Sequence, residues 1–190
     1  MKNWPSTLPA IITVCIPWLT PASAHAAATT RIASGLDRPL FVTAPPDIWY
    51  FKDTDADGKA DLKEKIYTGF GTGGSQYIMN NPQWGLDHRI YVSVAGNGGS
   101  VQRTDRPGEP AISVSRRDFR FDPATREFES VSGGKQFGNT FDDWGNRFLC
   151  TQDTPVYQAV FPQRYLERNP LLSVPESVIR LMWPGAPVFR

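Results

Sequence analysis

The sequence predicts an all-β fold, and three observations lead to that prediction. Its 190 residues include 17 prolines and 16 glycines, a high share that favours many turns over long helices. The apolar residues occur in short aromatic and β-branched runs bounded by Pro and Gly, as in residues 47–52 and 64–70. No helical pattern precedes Pro162; only residues 165–168 are expected to form a helical turn, which Pro170 ends.

Residues 1–26 have the organisation of a secretory signal peptide. Lys2 is followed by an apolar run over residues 11–19, and then by small residues spaced for signal peptidase up to Ala26. The apolar run is too short for a membrane span, and no later run approaches the ~20 apolar residues that a span needs. We therefore expect export to the periplasm or the extracellular space; the alternative is a hydrophobic N-terminal arm that stays attached.

The chemically most demanding stretch is the acidic segment over residues 53–61. It matches the calcium-loop pattern D-x-[DN]-x-[DN]-G-x5-E, with Gly58 at the turn and Glu64 in the twelfth place. Carboxylates this close repel one another by roughly 1 kcal/mol per pair at 4 Å in water, so a hard cation would stabilise them. The predicted calcium ligands are Asp53, Asp55, Asp57, the Lys59 carbonyl and Asp61.

The flanking residues decide which kind of calcium loop this is. An EF-hand requires a helix on each side, whereas residues 47–52 and 64–70 have the composition of strands. We therefore predict a loop at the tip of a β-hairpin, with Glu64 released from the ligand set to begin the second strand. The alternative is a solvated acidic turn that binds no ion.

From Arg31 onward the sequence contains a faint repeat. Residues 84–92 and 141–149 share a plan of an aromatic residue, a polar turn and an aromatic-aliphatic strand, and a looser copy runs from Phe41 to Trp49. The spacings of 43 and 57 residues are typical of propeller blades. Strands are predicted near residues 48–52, 64–68, 90–94, 117–121, 126–131 and 147–151.

Charge and cysteine content bound the possible functions. Cleavage of the signal peptide removes Lys2 and leaves 19 basic and 19 acidic residues, so a nucleic-acid partner is not expected. Cleavage also removes Cys15, which leaves Cys150 without a partner for an internal disulfide. We predict that Cys150 is a small buried hydrophobe.

Other chemistry has little support in the sequence. The glycine-rich segments 69–74 and 96–99 do not lead from a strand into a helix, so neither predicts a phosphate or dinucleotide site. A hydrolase triad is not expected, because the only histidines are His25 and His88 and there is no G-x-S-x-G. The arginines around Asp118 alternate with it, which predicts a paired, solvated strand face; they are Arg116, Arg117 and Arg120.

Several segments together resemble the glucose/sorbosone dehydrogenase-type β-propellers. They are residues 34–39, 44–49, the acidic loop, 84–87 and 137–145, and they occur in the order of that family. The chain is most similar to the large secreted bacterial proteins called membrane-bound dehydrogenases, in which such a propeller often precedes helical repeats and a haem-binding domain. The resemblance implies a six-bladed propeller and an oxidoreductase ancestry; some members oxidise sugars with pyrroloquinoline quinone (PQQ).

Two departures from the family pattern argue against catalysis by this chain. The sugar-oxidising members carry a base histidine at a register that here holds Gln76 and Tyr77, and His88 occupies a turn position that the family fills with Gly or Asn. The mature length corresponds to about three blades at about 40 to 50 residues each, whereas a propeller has at least about four. We therefore predict a partial propeller.

The predicted organisation is a signal peptide over residues 1–26, a partial propeller over residues 31–175 and a truncated C-terminal segment over residues 176–190. Two functions are compatible with it. The chain is either the calcium-binding propeller portion of a secreted PQQ-type dehydrogenase-like protein, without catalytic activity of its own, or a non-catalytic module that binds carbohydrate or a protein partner.

Overall fold

The computed structural model describes residues 39–169, 171 and 176–182. The predicted signal peptide, the stretch 34–38 of the family resemblance and the apolar run over residues 183–190 lie outside the described residues. Within them the chain forms thirteen strands in three antiparallel sheets and one short α-helix, so the predicted all-β class is confirmed.

The strands are numbered in chain order and form three sheets. Sheet 1 has the order β1 (Leu40–Ala44), β2 (Asp47–Lys52), β3 (Leu62–Phe70), β6 (Gly99–Arg103) and β7 (Ile112–Ser113). Sheet 2 consists of β4 (Asn80–Trp84), β5 (Ile90–Ser93), β8 (Arg117–Phe121) and β9 (Phe128–Ser132). Sheet 3 consists of β10 (Phe137–Phe141), β11 (Arg147–Cys150), β12 (Tyr157–Ala159) and β13 (Val178–Arg180). A 3₁₀ turn at Ser75–Tyr77 and the helix α1 (Gln163–Arg168) lie in connections.

All six predicted strands are present, and the predicted helical turn near residue 165 is part of α1. The strands that the sequence did not predict include β4, with the sequence Asn-Asn-Pro-Gln-Trp, and β10, with the sequence Phe-Gly-Asn-Thr-Phe. Asn, Gly and Pro are depleted in strands. Both segments nevertheless form strands at sheet edges, where Pro82 is tolerated, because β5 and β11 pair with them.

Two hairpins repeat the same geometry 57 residues apart. Their cross-strand pairs coincide: Trp84↔Ile90 and Asn80↔Ser93 in β4–β5 correspond to Phe141↔Arg147 and Phe137↔Cys150 in β10–β11. Each pairing shifts register at the same place, and each connecting turn ends in a left-handed residue, His88 (φ 60°) or Gly145 (φ 83°). This is the three-residue hairpin loop with a left-handed third position. The repeat predicted at residues 84–92 and 141–149 is therefore confirmed.

The looser third copy near Phe41 also forms a hairpin, but its turn differs from that of the other two copies. A two-residue turn joins β1 to β2, with Ala44 paired directly to Asp47, and no left-handed residue lies in it. The sheets also do not follow one another as consecutive blades. The chain leaves sheet 1 after β3, forms β4 and β5 of sheet 2, returns to sheet 1 with β6 and β7, and then completes sheet 2.

Gly69 makes the return of β6 to sheet 1 possible. Its φ of 103° is a conformation that other residues rarely adopt, and a Cβ at this position would lie 2.1 Å from the Ser100 carbonyl oxygen. The glycine therefore lets β3 and β6 approach closely, which the sequence pattern of two glycine-rich loops did not reveal.

Sheets 1 and 2 pack through an aromatic core. Tyr67 of β3 is fully buried and contacts three phenylalanines of sheet 2, with ring centroids 5.1 Å, 5.1 Å and 5.4 Å away: Phe119, Phe121 and Phe128. Tilted and edge-on aromatic pairs contribute about 0.5–1.5 kcal/mol each beyond the burial of their area. The Tyr67 hydroxyl donates a hydrogen bond of 3.0 Å to the Arg126 carbonyl, so its polar end is also satisfied.

Sheets 2 and 3 are joined by a buried ion pair. Asp118 of β8 is 0% exposed, Arg147 of β11 is 5% exposed, and their side chains bond to each other. The backbone N–H groups of Val94 and Gly134 donate to Asp118 Oδ1 at 3.0 Å and 3.1 Å. Arg147 also donates to the Asn139 side chain at 2.7 Å and to the Ser132 carbonyl at 2.8 Å. Both charged groups thus have further hydrogen-bond partners besides each other, as a buried pair needs.

The predicted solvated face of β8 is therefore wrong. The strand does alternate, with Phe119 and Phe121 directed at sheet 1, but sheet 3 covers much of the charged face that holds Asp118 and Arg120. Arg120 is paired as expected, with Glu129 at 2.7 Å, although its side chain is only 13% exposed. Alternation reveals that a strand has two faces, but it does not reveal that both are covered.

Substitution of Gly145 by Ala is expected to destabilise the fold by about 1–2 kcal/mol, because an L-residue disfavours the left-handed conformation. A Cβ there would also lie 3.3 Å from the Leu86 side chain. Gly108→Ala is the matched control, since no atom lies within 4 Å of the corresponding Cβ. Urea denaturation of both variants is the measurement, and equal stabilities would contradict the role of the turn.

Substitution of Arg147 by Met is expected to destabilise the fold by about 3–5 kcal/mol, because it leaves the Asp118 carboxylate buried without a counter-charge. Arg106→Met removes an exposed pair with Glu109 and should lower stability by less than about 1 kcal/mol. Equilibrium denaturation measures the stability of both variants. Similar losses of stability would show that the buried Asp118–Arg147 pair contributes no more than an exposed pair.

Candidate metal centre

The acidic segment forms the loop between β2 and β3, so the hairpin location predicted for it is confirmed. The two strands pair up to Lys52 and Leu62, and residues 53–61 extend from their ends. An EF-hand is excluded at this position because strands, not helices, flank the loop on both sides.

Backbone N–H groups of the loop position the first predicted ligand. Asp53 is 8% exposed, and its two carboxylate oxygens accept hydrogen bonds from the N–H groups of Ala56 at 2.7 Å and Gly58 at 2.8 Å. Gly58 reaches this position with a φ of 84°, which glycine adopts readily. An ionised carboxylate has about four acceptor sites, so each oxygen keeps capacity for a cation.

Asp61 closes the other side of the loop. Its Oδ2 accepts hydrogen bonds from the Thr54 N–H at 2.8 Å and the Thr54 hydroxyl at 2.7 Å. These bonds, first from the backbone and then from the side chain, hold the pKa of Asp61 below its usual value. Asp61 is therefore ionised at neutral pH and carries the charge that a cation site needs.

The structure brings together three of the four predicted carboxylate ligands. Carboxylate oxygens of Asp53, Asp55 and Asp61 all lie within 4.8 Å of one another. Asp57 lies outside this group: its Oδ1 accepts from the Lys59 N–H at 2.7 Å, and its Oδ2 lies 3.5 Å from the Lys59 ammonium group. The sequence spacing predicted that all four acids are calcium ligands. In the structure, local hydrogen bonding to Lys59 separates Asp57 from the other three.

The chemistry of this group fits a hard cation. Calcium takes oxygen ligands at about 2.3–2.6 Å, so two oxygens on one ion are at most about 5 Å apart. The grouped carboxylates meet that limit. Three acids this close, with Lys59 paired to Asp57, also carry an excess of negative charge that a divalent ion would neutralise.

Glu64 lies in β3, as the sequence predicted, and its side chain pairs with Arg126 outside that strand. The Arg126 guanidinium forms two bonds of 2.7 Å to its two carboxylate oxygens, and this pairing lowers the pKa of Glu64. Arg126 belongs to the connection between β8 and β9, so the pair links the acidic hairpin to sheet 2. Glu64 is therefore committed to a structural contact and is not part of the grouped acids.

The residues considered for catalysis lie elsewhere and are not gathered into one site. Tyr77 ends the 3₁₀ turn, is 42% exposed and packs beside Gly96. His88 sits in the left-handed turn position after β4, with its ring 6.4 Å from that of Trp84. Cys150 lies at the end of β11 and is only partly buried, so the prediction of a buried hydrophobe is correct in part.

The sequence did not predict the cleft that lies between sheets 2 and 3. It has a volume of about 330 Å³, and Arg120, Arg147, Phe161 and Arg164 are among the residues that line it. Arg120 pairs with Glu129, and Arg147 pairs with Asp118 and the Ser132 carbonyl, so both form part of the wall of the cleft. The residues come from distant parts of the chain, and no local pattern could have revealed them.

Comparisons with known proteins identify a family for this chain but no activity. A family model described as Domain of unknown function (DUF7133) matches residues 28–189. Curated proteins and solved structures give no match. Among the described residues no helix is long and apolar enough to cross a membrane.

Because Asp61 has a lowered pKa, its carboxylate contributes stability above its ordinary pKa of about 4, and that contribution is lost as the pH falls through the lower folded-state pKa. In calcium-free buffer, Thr54→Val should raise the pKa of Asp61 part of the way toward its ordinary value, since the hydrogen bond from the backbone N–H of residue 54 remains. Carboxyl-carbon NMR titration is the measurement. Thr68→Val, which removes a similar bond to Asp47, should leave Asp61 unchanged; an equal effect of both variants would contradict the assignment.

Proposed function

This chain belongs to the DUF7133 family, and we propose that it is a calcium-stabilised, propeller-like module of an exported protein, without catalytic activity of its own. The observation that carries the proposal is the group formed by Asp53, Asp55 and Asp61 at the tip of the β2–β3 hairpin. The match of the same segment to a calcium-loop pattern supports it.

Calcium would act here as a structural ion. Asp53, Asp55 and Asp61 would hold it, and Asp57 and the Lys59 carbonyl are the remaining proposed ligands. The ion would neutralise the charge of the loop and so hold the ends of β2 and β3 together. Magnesium fits less well, because it prefers to keep several of its own waters and demands near-octahedral geometry.

For an exported protein, a modest affinity for calcium is sufficient. The signal-peptide pattern over residues 1–26 supports export, and extracellular modules bind calcium with dissociation constants of about 10⁻⁴ to 10⁻³ M. At calcium ten times above the dissociation constant, mass action would stabilise the folded state by about 1.4 kcal/mol. That is a sizeable share of the ~5–15 kcal/mol that typically separates folded and unfolded domains.

We propose that the chain is not catalytic because of the residue at the position of the expected catalytic base. Tyr77 stands where the dehydrogenase-type propellers carry a base histidine, and tyrosine is a poor general base at neutral pH. The parent protein would then be PQQ-type dehydrogenase-like by ancestry, with the present chain contributing structure. PQQ itself is not proposed as a ligand of this chain.

One observation favours the second candidate function, a module that binds carbohydrate or a protein partner. Phe161 lines the cleft between sheets 2 and 3 and is 44% exposed, and two residues next in sequence to the lining residues Gly145 and Arg164 are also exposed aromatics, Trp144 at 84% and Tyr165 at 49%. Exposed aromatic residues at a cleft are common in binding surfaces. This function is compatible with a structural calcium ion on the hairpin at sheet 1.

Calorimetric titration with calcium tests the proposal. Wild type should bind one ion, and Asp55→Ala should lose most of the affinity because the residue belongs to the grouped acids. Asp57→Ala should also weaken binding, since the ion is expected to draw Asp57 from Lys59. The calcium-dependent rise in Tm should fall in the same order.

Glu64→Gln is the control for this titration. It removes the pairing with Arg126 and should cost some stability, but calcium affinity should stay close to that of wild type because Glu64 is outside the ligand group. No binding by the folded wild type would refute the calcium site. A large loss of affinity in Glu64→Gln would show instead that the loop uses its twelfth position.

A further inference from the structure

Sheet 3 has two faces with different surroundings. Arg147 and Leu149 of β11 belong to the inner face, where Arg147 bonds to Asp118 of sheet 2. Both of these inner residues are buried, at 5% and 2% exposure. Side chains alternate along a strand, so Phe148 and Cys150 of β11 belong to the opposite face, which we call the outer face. Both of these outer residues are only partly buried.

The outer face is apolar across all four strands of sheet 3. Residues directly opposite each other on paired strands share a face. The pairing places two rows of side chains on the outer face: Thr140, Phe148, Gln158 and Ile179 in the first row, and Phe137, Cys150, Val156 and Leu181 in the second. Six of these eight residues are apolar and none is charged.

Several apolar side chains of the outer face are open to solvent. Phe137 is 39% exposed, Ile179 38% and Leu181 46%, and they come from the first and last strands of the sheet and from the residue that follows β13. A contiguous exposed apolar patch marks a place where another segment or molecule packs. The inner face is already covered, so the outer face is where sheet 3 has room for a further contact.

We propose that residues 183–190 of this chain fold back and cover the outer face. The segment contains Trp183, Val188 and Phe189 and carries a single charge, at Arg190, so its composition matches an apolar surface. It begins beside Leu181, whose N–H donates to the Val156 carbonyl at 3.0 Å within the second row. A short tether gives a local concentration of roughly millimolar, which favours this segment over a separate molecule.

The length of the segment suits the width of the sheet. Eight extended residues reach at most about 26–29 Å, whereas the four strands of sheet 3 span about 14–15 Å from β10 to β13. The segment can therefore cross from Leu181 to Phe137. Pro184 and Pro187 lack the N–H donors that a ladder needs, so the segment covers the face through its side chains and does not extend the sheet as a further strand.

The Cys150 thiol is a natural reporter of this contact, since it is free and belongs to the outer face. The experiment measures the rate at which iodoacetamide alkylates Cys150 in the full exported chain, with the labelled peptide quantified by mass spectrometry. Deletion of residues 183–190 should accelerate the labelling at least fivefold. The double substitution Trp183→Ser and Phe189→Ser keeps the chain length and should also accelerate it at least twofold.

Leu171→Ser is the matched control, because Leu171 is an apolar residue that is 91% exposed and lies between α1 and β13, away from the two rows. It should leave the labelling rate unchanged. A second reporter, Ile179→Cys, samples the more exposed part of the outer face and should gain reactivity in the same way when residues 183–190 are deleted. Circular dichroism and the Tm of each variant show that it remains folded, and the double substitution decides the matter if the deletion unfolds the chain.

Equal labelling rates with and without the segment, at both reporters, would overturn the proposal. So would an acceleration by Leu171→Ser as large as that of the double substitution. A labelling rate of the wild type that falls as the protein concentration rises would show that a second copy covers the face, and would overturn the proposal as well.

Discussion

The ion pair between Asp118 and Arg147 is the contact on which the arrangement of sheets 2 and 3 depends. Burial of two charges has a large desolvation cost, and the pair tolerates it because backbone N–H groups, a carbonyl and the Asn139 side chain satisfy both partners. An apolar contact could slide, whereas these directional bonds specify one position of β11 against β8. Gly133 preserves this arrangement, since a Cβ there would lie 1.9 Å from Asp118 Oδ2.

The junction between sheets 1 and 2 has a different physical basis. It is an aromatic core centred on Tyr67, closed at one end by polar contacts between loops. Arg103 is 5% exposed, binds Asp105 with two bonds of 2.9 Å and 2.7 Å, and also donates to the Arg126 carbonyl. Arg126 in turn holds Glu64 at the base of the acidic hairpin. The loop proposed to bind calcium is therefore anchored to the connection between β8 and β9, and order in one supports order in the other.

The acidic hairpin and sheet 3 carry different chemistry. The acidic hairpin gathers carboxylates with spare acceptor capacity, whereas in sheet 3 two cations, Lys135 and Arg180, lie over the ring of Tyr157. The cleft between sheets 2 and 3 is a further surface, lined by both charged and aromatic residues such as Arg120, Arg147 and Phe161.

The sequence by itself determined the all-β class, six strands, the 57-residue hairpin repeat and the position of the acidic loop, because these depend on local composition, turn chemistry and spacing. Only the tertiary structure decided that β6 returns to sheet 1, that Asp118 is buried and that the Asp57 side chain pairs with Lys59 outside the group of the other acids. Those outcomes depend on which faces meet and which hydrogen bonds form between distant segments. A pattern along the chain can show that a strand has a charged face, but what covers that face is decided by residues far away in sequence, such as Arg147.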